Sequence, residues 1–401
     1  MAYTETTRQS YGNKLSNSVG GIIIGLLMFI GGTILLWWNE GNSVKTAKAI
    51  KEAQSVAVSI EDINTVNPEF EGKLAYATGT ALTLDTLRDE NFGVKSNAIK
   101  LIRNVEYYQW VEHSKTEKKE KVGGATETVT TYTYDKEWVN EPIKSSDYHD
   151  PEYQSSNTVL VTLEDVNQTA ENVTFGAYTL PTFMTSSIYG EESVDANMSD
   201  DLRQEWLRSL STNNPLVDVT AKDNVVYFGV NRNLPTVGDV RITFTQVTSP
   251  KDISILGKVI GNTFEKYVAK NGKSFSRVEM GTVSAENMFE GAKKENSIWT
   301  WVLRVVGIFL VIYGIKSMFS LLVTLFAVLP FLKNVVGAGI GIVCFVIGLV
   351  WSLLVIAIAW IAYRPVLAIV LLVVAAALIF LLVSRSKKKK DAAPLTEPAA
   401  K

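Results

Sequence analysis

Residues 20–38 read GGIIIGLLMFIGGTILLWW and contain no charged side chain. An α-helix rises 1.5 Å per residue, so about 20 residues cross a bilayer core of about 30 Å. Two more uncharged runs are long enough to cross: residues 335–362, with 28 residues, and residues 365–383, with 19. The sequence therefore predicts membrane-spanning helices at both ends of the chain.

The first run is predicted to be a signal anchor that stays in the mature protein. Its 19 residues exceed the 7–15 apolar residues that are typical of a cleaved signal peptide. The run ends in Trp37-Trp38-Asn39-Glu40, which lacks the small residues of a cleavage site.

A further span is predicted over residues 298–316, although it contains Arg304. Trp299 and Trp301 are typical of the membrane interface, and the long arginine side chain could extend outward to water from one turn deeper. Residues 317–334 are apolar but too short for a second comfortable span. We predict that they form an interfacial or re-entrant segment on the cytoplasmic side.

Lysine and arginine residues predict the orientation, because they accumulate in cytoplasmic segments. With four spans, one side of the membrane receives the tails 1–19 and 384–401 and the 317–334 segment, all of which carry basic residues. Both termini are then cytoplasmic, and residues 39–297 form an extracytoplasmic or lumenal domain.

The near-neutral chain hides a strong division of charge. Residues 40–297 carry a net charge of about −11, with 27 basic and 38 acidic residues. This acidity argues against nucleic-acid binding, which requires a basic surface. The basic residues of the C-terminal tail could contact anionic membrane lipids or could simply stop transfer through the membrane. They are Arg385, Lys387, Lys388, Lys389 and Lys390.

The large domain is predicted to be α+β and mostly antiparallel, in an otherwise helical multi-pass membrane protein. Strands are predicted at residues 73–84, 159–163, 225–230 and 240–247, and a long hairpin at 105–112 and 127–139, joined by a mobile loop. An amphipathic helix is predicted at 199–210. Short helices at 44–54 and 284–295, the latter capped by Ser284, would meet beside the membrane as a stalk. The lone cysteine, Cys344, lies inside a span, so the domain is predicted to fold without a disulfide.

Sequence motifs for catalysis are not found. The two histidines, His113 and His149, exclude the paired-histidine metalloprotease motif, and the chain lacks a Gly-x-Ser-x-Gly or phosphate-loop sequence. Asp147, His149, Asp150 and Glu152 could bind a divalent cation, although such runs are usually solvated loops. We predict no catalytic residue, no metal and no cofactor.

Glycines at four-residue spacing are predicted to be helix-packing positions, because they let two helix backbones approach closely. The pairs are Gly21 with Gly25 in the first span and Gly337 with Gly341 in the third. Packing within one chain is the default interpretation, and self-association into a homo-oligomer is the alternative.

Several collinear segments resemble the transmembrane protein 43 (LUMA) family. They are Asn39-Glu40-Gly41, residues 67–79 (NPEFEGKLAYATG), 91–94 (NFGV), 105–112 (VEYYQWVE), 132–138 (YTYDKEW), 237–244 (VGDVRITF) and Tyr363-Arg364-Pro365. The resemblance implies a multi-pass protein with a lumenal domain, which in animals resides in the endoplasmic reticulum and inner nuclear membrane. It also implies self-association, emerin- and lamin-type partners, and no catalytic residues. A bacterial member would lie in the cell membrane.

The function predicted from these observations is a non-enzymatic membrane scaffold that organises membrane protein complexes. A channel or transport accessory subunit is a second hypothesis, which a continuous polar path between the spans would favour. A third is an extracytoplasmic hydrolase, which a pocket lined by converging polar groups would favour.

Overall fold

The computed structural model describes residues 2–121, 125–211, 217–325 and 330–365. The helices in these residues are α1 Tyr11–Val56, α2 Thr182–Thr185, α3 Asp200–Ser211, α4 Ala285–Met318, α5 Ser320–Leu325 and α6 Pro330–Tyr363. The strands of the first half are β1 Tyr3–Gln9, β2 Val58–Ser59, β3 Leu74–Thr83, β4 Leu87–Asp89, β5 Val94–Ser96, β6 Ala98–Glu120, β7 Thr126–Val139, β8 Val166–Thr169, β9 Val173–Phe175 and β10 Tyr178–Thr179. Those of the second half are β11 Glu192–Ser193, β12 Asp218–Lys222, β13 Val225–Gly229, β14 Val240–Thr248, β15 Lys251–Ile260, β16 Thr263–Glu265, β17 Tyr267–Val268, β18 Ser274–Phe275 and β19 Arg277–Met280.

The chain divides into two compact units. The domain unit comprises residues 1–9, 49–121 and 126–293, and the helical unit comprises residues 10–48, 122–125 and 294–401. Both α1 and α4 contribute residues to each unit, because neither helix is interrupted where the division falls.

The helical unit contains the predicted spans. Three helices of the described chain are long and apolar enough to cross a membrane, and they correspond to the spans predicted at residues 20–38, 298–316 and 335–362. Large apolar side chains on α4 and α6 are exposed, for example Phe309 at 55 % and Phe345 at 51 %, as expected of surfaces that face lipid. The fourth predicted span, residues 365–383, lies outside the described residues except for Pro365.

The helices extend beyond the predicted spans. The predicted juxtamembrane helices, residues 44–54 and 284–295, are continuous with α1 and α4 because no proline interrupts either sequence. Ser284 caps α4 as predicted, since its Oγ accepts a hydrogen bond from the Asn287 N–H at 3.3 Å. In the predicted interfacial segment, α4 ends at Met318, the short α5 follows, and α6 begins at Pro330.

The domain unit is built on two large, largely antiparallel sheets, which agrees with the predicted α+β class. One sheet has the order β1-β7-β6-β14-β13-β12, with β8 and β11 paired at its sides. The other has the order β19-β15-β16-β10-β9-β3-β2. Because β15 also pairs with β3, the strands β15, β16, β10, β9 and β3 close into a ring without free edges.

Each sheet has its own apolar core. Phe175, Tyr178 and Phe264 lie in the core of the ring. The core of the first sheet includes Phe92 and Phe228 together with helix α3. The predicted helix at 199–210 is confirmed, and its Leu210 and Trp206 pack onto the core of the first sheet.

Two strand predictions require correction. Residues 114–120 were expected in a mobile loop, but β6 continues through them, because they pair with β7 as far as Glu120 opposite Thr126. Residues 159–163 were expected to form a strand, but they are irregular: their apolar side chains pack on the core of the first sheet. Their backbone bonds to other groups instead, such as the Tyr107 hydroxyl, which receives the N–H of Leu163 at 3.0 Å. The other predicted strands are present.

The predicted stalk helices share a cluster within the domain unit. Ile50 and Ala53 of α1 pack with Met288 and Phe289 of α4. The cluster also includes Leu74 of β3, so it joins both helix ends to a sheet.

The N-terminal residues belong to a sheet, which the sequence did not indicate. Strand β1 pairs with β7 in antiparallel register, from Tyr3 opposite Tyr132 to Gln9 opposite Thr126. In this arrangement the N-terminal residues and the β7 segment face the same aqueous phase.

The core of the first sheet can be tested at Phe92, whose side chain is fully buried, stacks on Trp206 and makes edge contacts with Phe228 and Phe244. We expect Phe92→Ala to lower the free energy of unfolding by about 3–5 kcal/mol, because a large cavity replaces the ring. Urea unfolding of the detergent-solubilised chain measures the change. Leu84→Ala is the control, since Leu84 is 88 % exposed. An equal effect of both variants would contradict the assigned core.

Candidate functional site

The contacts between α1 and α4 begin with glycines on both helices. A side-chain carbon added at Gly25 would lie 2.6 Å from the Gly314 carbonyl oxygen, and one added at Gly32 would lie 3.0 Å from that of Gly307. As the residue number rises along α1 it falls along α4, so the two helices are antiparallel. The absence of side chains at these positions lets the backbones touch.

An ion pair lies further along the same interface. Glu40 Oε1 accepts a hydrogen bond from Arg304 Nε at 2.5 Å, and Oε2 accepts one from Nη2 at 2.9 Å. The Glu40 side chain is completely buried, and that of Arg304 is 10 % exposed. The two parallel hydrogen bonds give the strongest geometry available to an arginine and a carboxylate.

Aromatic rings complete the surroundings of this ion pair. The indole N–H of Trp360, on α6, donates to Glu40 Oε2 at 2.8 Å. The Arg304 guanidinium lies 4.7 Å from the ring centre of Trp301, a distance typical of a cation–π contact. The carboxylate is thus bound by two helices, α4 and α6, which fixes its position on α1.

Neighbouring polar groups of α1 and α4 are also paired. Asn39 Nδ2 donates to the Thr300 carbonyl at 3.0 Å, and the Thr300 hydroxyl donates to Ser43 Oγ at 2.8 Å. Asn296 Nδ2 donates to the Ser43 carbonyl at 3.1 Å. Together with the Glu40–Arg304 pair, these bonds form a row of polar contacts between α1 and α4, which we call the polar seam. They satisfy groups whose burial without partners would be costly.

The seam brings together two of the sequence segments that suggested the family. In Asn39-Glu40-Gly41, the first two side chains bind α4, and Gly41 contacts Tyr363. A side-chain carbon at Gly41 would lie 2.7 Å from Tyr363 Cζ, so only glycine lets the tyrosine ring approach. We call Asn39, Glu40, Gly41, Thr300, Arg304, Trp360 and Tyr363 the junction.

The junction corrects the interpretation of Arg304. The sequence suggested that its side chain extends outward to water, but the guanidinium is bound to Glu40 inside the helical unit. Glu40 was predicted to lie just after the first span, in the large domain, and had no predicted partner. The usable signal was a single acid just after the predicted span 20–38 and a single base just inside the predicted span 298–316, at the ends that adjoin the large domain.

The structure describes some of the predicted helix-packing glycines. Gly21 lies near Ser317 and Ser320, and Gly25 contacts Gly314, so both positions are used within one chain. Gly341 lies beside an apolar groove between α4 and α6. The surroundings of Gly337 and the basic residues Arg385 and Lys387 to Lys390 lie outside the described part of the chain.

The acidic and histidine run is arranged for packing. His149 Nδ1 lies 2.9 Å from Glu112 Oε1, and its ring stacks on Tyr132 with centroids 4.0 Å apart. Burial alone would raise the pKa of Glu112, but hydrogen bonds from Tyr134 and His149 outweigh it and lower this pKa. In the described ranges of the chain, no group of three or more acidic, histidine or cysteine side chains could hold a metal ion.

Comparison with known proteins agrees with the resemblance found in the sequence. A family profile described as Transmembrane protein 43 matches residues 107–365. Transmembrane protein 43 of Rattus norvegicus is 30 % identical over 377 residues, covering 92 % of this chain and 90 % of the relative. The Homo sapiens protein of the same name is 29 % identical over 367 residues, covering 89 % and 88 %. The Drosophila melanogaster homolog is 26 % identical over 358 residues, covering 86 % and 89 %. No solved structure matches the chain.

The apolar helices, the junction and the two largely antiparallel sheets define a membrane protein with a large sheet-rich domain. More specifically, the chain belongs to the transmembrane protein 43 family, whose profile covers more than half of it.

The ion pair of the junction gives a sharp prediction for paired variants. Glu40→Met or Arg304→Met alone should destabilise the chain by about 3–5 kcal/mol, because each leaves one buried group without its partner. The double variant Glu40→Met with Arg304→Met removes both charges, so we expect it to be more stable than either single variant. Thermal unfolding in detergent measures the order. A double variant that loses the sum of both single effects would contradict a mutual ion pair.

Proposed function

We propose that this protein is a non-enzymatic membrane scaffold that self-associates and organises membrane protein complexes. The observation that carries the proposal is the junction, which fixes α1, α4 and α6 through a fully paired buried carboxylate. Such a helical unit supports an anchor of fixed geometry. Its domain, with a net charge of about −11, would offer partners a large acidic surface.

The junction supports a scaffold over a channel or transport subunit. Transport proteins use buried ionisable groups as proton or ion relays. Here both Glu40 oxygens are occupied by Arg304, and Oε2 also receives Trp360. Beyond the junction, α1 and α4 approach closely at Gly25 with Gly314 and at Gly32 with Gly307, which supports tight packing between these two helices.

The histidines support a scaffold over a hydrolase. His113 Nε2 lies 2.9 Å from Glu137 Oε1, and His149 Nδ1 lies 2.9 Å from Glu112 Oε1. A general base needs its nitrogen within hydrogen-bond reach of a nucleophile. Among the described residues, neither ring is hydrogen-bonded to a hydroxyl or thiol: His113 links β6 to β7, and His149 attaches the segment after β7 to β6.

For self-association we propose the face of α6 that carries Gly341. Gly21 and Gly25 of α1 contact α4 of the same chain, so this predicted pair is engaged. Beside Gly341 lies an apolar groove of about 410 Å³, bounded by Phe309 and Tyr313 of α4 and Phe345 of α6. Among the described residues, no atom lies within 4 Å of the position of a Gly341 side chain. A helix of a second copy is the proposed occupant.

Self-association can be tested with matched glycine variants. We expect Gly341→Leu to dissociate the oligomer without lowering the melting temperature, because the side chain blocks the groove from outside. Gly31→Leu is the control, since no described atom lies within 4 Å of that position on α1. Native mass spectrometry in mild detergent measures the oligomer. A monomeric wild-type chain would refute self-association. An intact but less stable Gly341→Leu oligomer would assign the groove to residues of the same chain.

We further propose that residues 39–297 lie outside the cytoplasm and that both termini are cytoplasmic. The distribution of lysine and arginine supports this orientation. In a eukaryotic host the membrane would be the endoplasmic reticulum or inner nuclear membrane, with emerin- and lamin-type partners, and in a bacterium the cell membrane. The pairing of β1 with β7 makes a competing demand, because residues 3–9 would then lie on the same side of the membrane as residues 126–132.

Single-cysteine labelling distinguishes a cytoplasmic N-terminus from one that lies on the same side of the membrane as β7. The native Cys344 is 1 % exposed, so its background reaction should be small. We expect Lys118→Cys, in β6, to react with an impermeant maleimide only from the extracytoplasmic side, and Asp391→Cys and Thr6→Cys only after the membrane is permeabilised. If Thr6→Cys reacts together with Lys118→Cys, the N-terminal tail lies on the side of the domain. If Asp391→Cys does so, the number of spans is odd.

A further inference from the structure

The first sheet of the domain unit has a recess on the face opposite its apolar core. Residues of β6, β7, β13 and β14 line it, together with Arg232 from the loop between β13 and β14. Strand register explains the composition: Ile242 and Phe228 point into the core, while their neighbours Arg241 and Tyr227 point to the other face. The recess has a volume of about 220 Å³.

Arg232 carries a positive charge in the recess that is not paired with an acidic side chain among the described residues. Its side chain is exposed, and within the described ranges it forms no ion pair. A guanidinium offers a planar fork of donors that fits a carboxylate. In an acidic domain, an arginine that is not used for packing and lines a concavity is suited to bind an anion.

The second arginine of the recess is held in place. Arg241 donates from Nε and Nη2 to the Glu106 carboxylate, at 2.5 and 2.9 Å. Its guanidinium carbon lies 4.4 Å from the ring centre of Trp138. These contacts use one side of the guanidinium fork, and the remaining nitrogen, Nη1, is in neither of these bonds.

The floor of the recess is fixed by a buried hydrogen bond. The Tyr227 hydroxyl donates to Asp239 Oδ2 at 2.5 Å, and burial together with this bond raises the pKa of Tyr227. Asp239 also accepts from the N–H and hydroxyl of Thr236, at 2.8 and 3.1 Å. These hydrogen bonds stabilise the Asp239 carboxylate, and they hold the Tyr227 ring as a rigid wall of the recess.

We infer that this recess binds a small organic carboxylate with a flat apolar body. The carboxylate would bind Arg232 and Arg241, and the body would lie between Val225, Tyr227 and Trp138. Glu106 is paired with Arg241, so Arg232 is the cation of the lining that is left to bind the carboxylate.

Size and long-range charge select a small molecule over an acidic protein. A water molecule occupies about 30 Å³ in the liquid, so the recess holds about seven waters or one compact ring with a carboxylate. The net charge of about −11 on residues 40–297 would slow the approach of an acidic chain, because the whole surface repels it. A monoanion experiences much less of this repulsion.

Benzoate is the probe for this site, and benzamide is its neutral counterpart of nearly the same shape. We expect the detergent-solubilised full chain to bind benzoate saturably at millimolar concentration, measured by ligand-observed NMR, and to bind benzamide far more weakly. Arg232→Gln should weaken benzoate binding about ten- to hundredfold, because it removes a charge-assisted pair. Its melting temperature should not change, since Arg232 is exposed.

Arg88→Gln is the matched control, an exposed arginine of the same unit that does not line the recess. We expect it to bind benzoate like the wild type. Equal binding of benzoate and benzamide, or equal binding by wild type and Arg232→Gln, would overturn the inference. So would the lack of saturable benzoate binding by the wild-type chain. None of these outcomes bears on the oligomer, so the scaffold proposal is tested separately.

Discussion

A carboxylate and a guanidinium buried between membrane helices must bind each other, because neither charge is stable alone in an apolar medium. Glu40 and Arg304 meet this condition with two hydrogen bonds, and Trp360 adds a third to the carboxylate. The geometry of a bidentate pair allows little sliding or rotation. It therefore fixes the register of α1 against α4 and ties both helices to α6.

Close backbone packing is possible only once this register is set. The glycines of α1 meet those of α4 at two places seven residues apart on each helix, Gly25 with Gly314 and Gly32 with Gly307. Shifting α4 by a single residue would place Val or Ile at one contact and Tyr or Ile at the other, where the backbones now touch. The ion pair and the glycine contacts therefore specify the same arrangement, which is the physical basis for treating the helical unit as an anchor of fixed geometry.

The domain unit shows how one sheet can serve two purposes. Its alternating residues divide into an apolar face, built around Phe92 and Phe228, and an outer face that carries Arg241, Tyr227 and Trp138. Trp138 is only partly buried and lines the recess, so its side chain contributes less to the apolar core than a fully buried ring would. Strand register creates this recess, because it places Glu106 opposite Arg241 and Arg241 opposite Tyr227.

The sequence alone determined the elements whose physics is local. Uncharged runs long enough to cross a bilayer predicted three helices that the structure contains, and alternating β-formers predicted strands such as β3 and β14. Pairing between distant residues was decided only by the tertiary structure. Glu40 and Arg304 are 264 positions apart, and residues 114–120 extend a strand only because β7 lies beside them. Local patterns encode the period of a helix or strand, whereas a buried charge finds its partner through the packing of the whole chain.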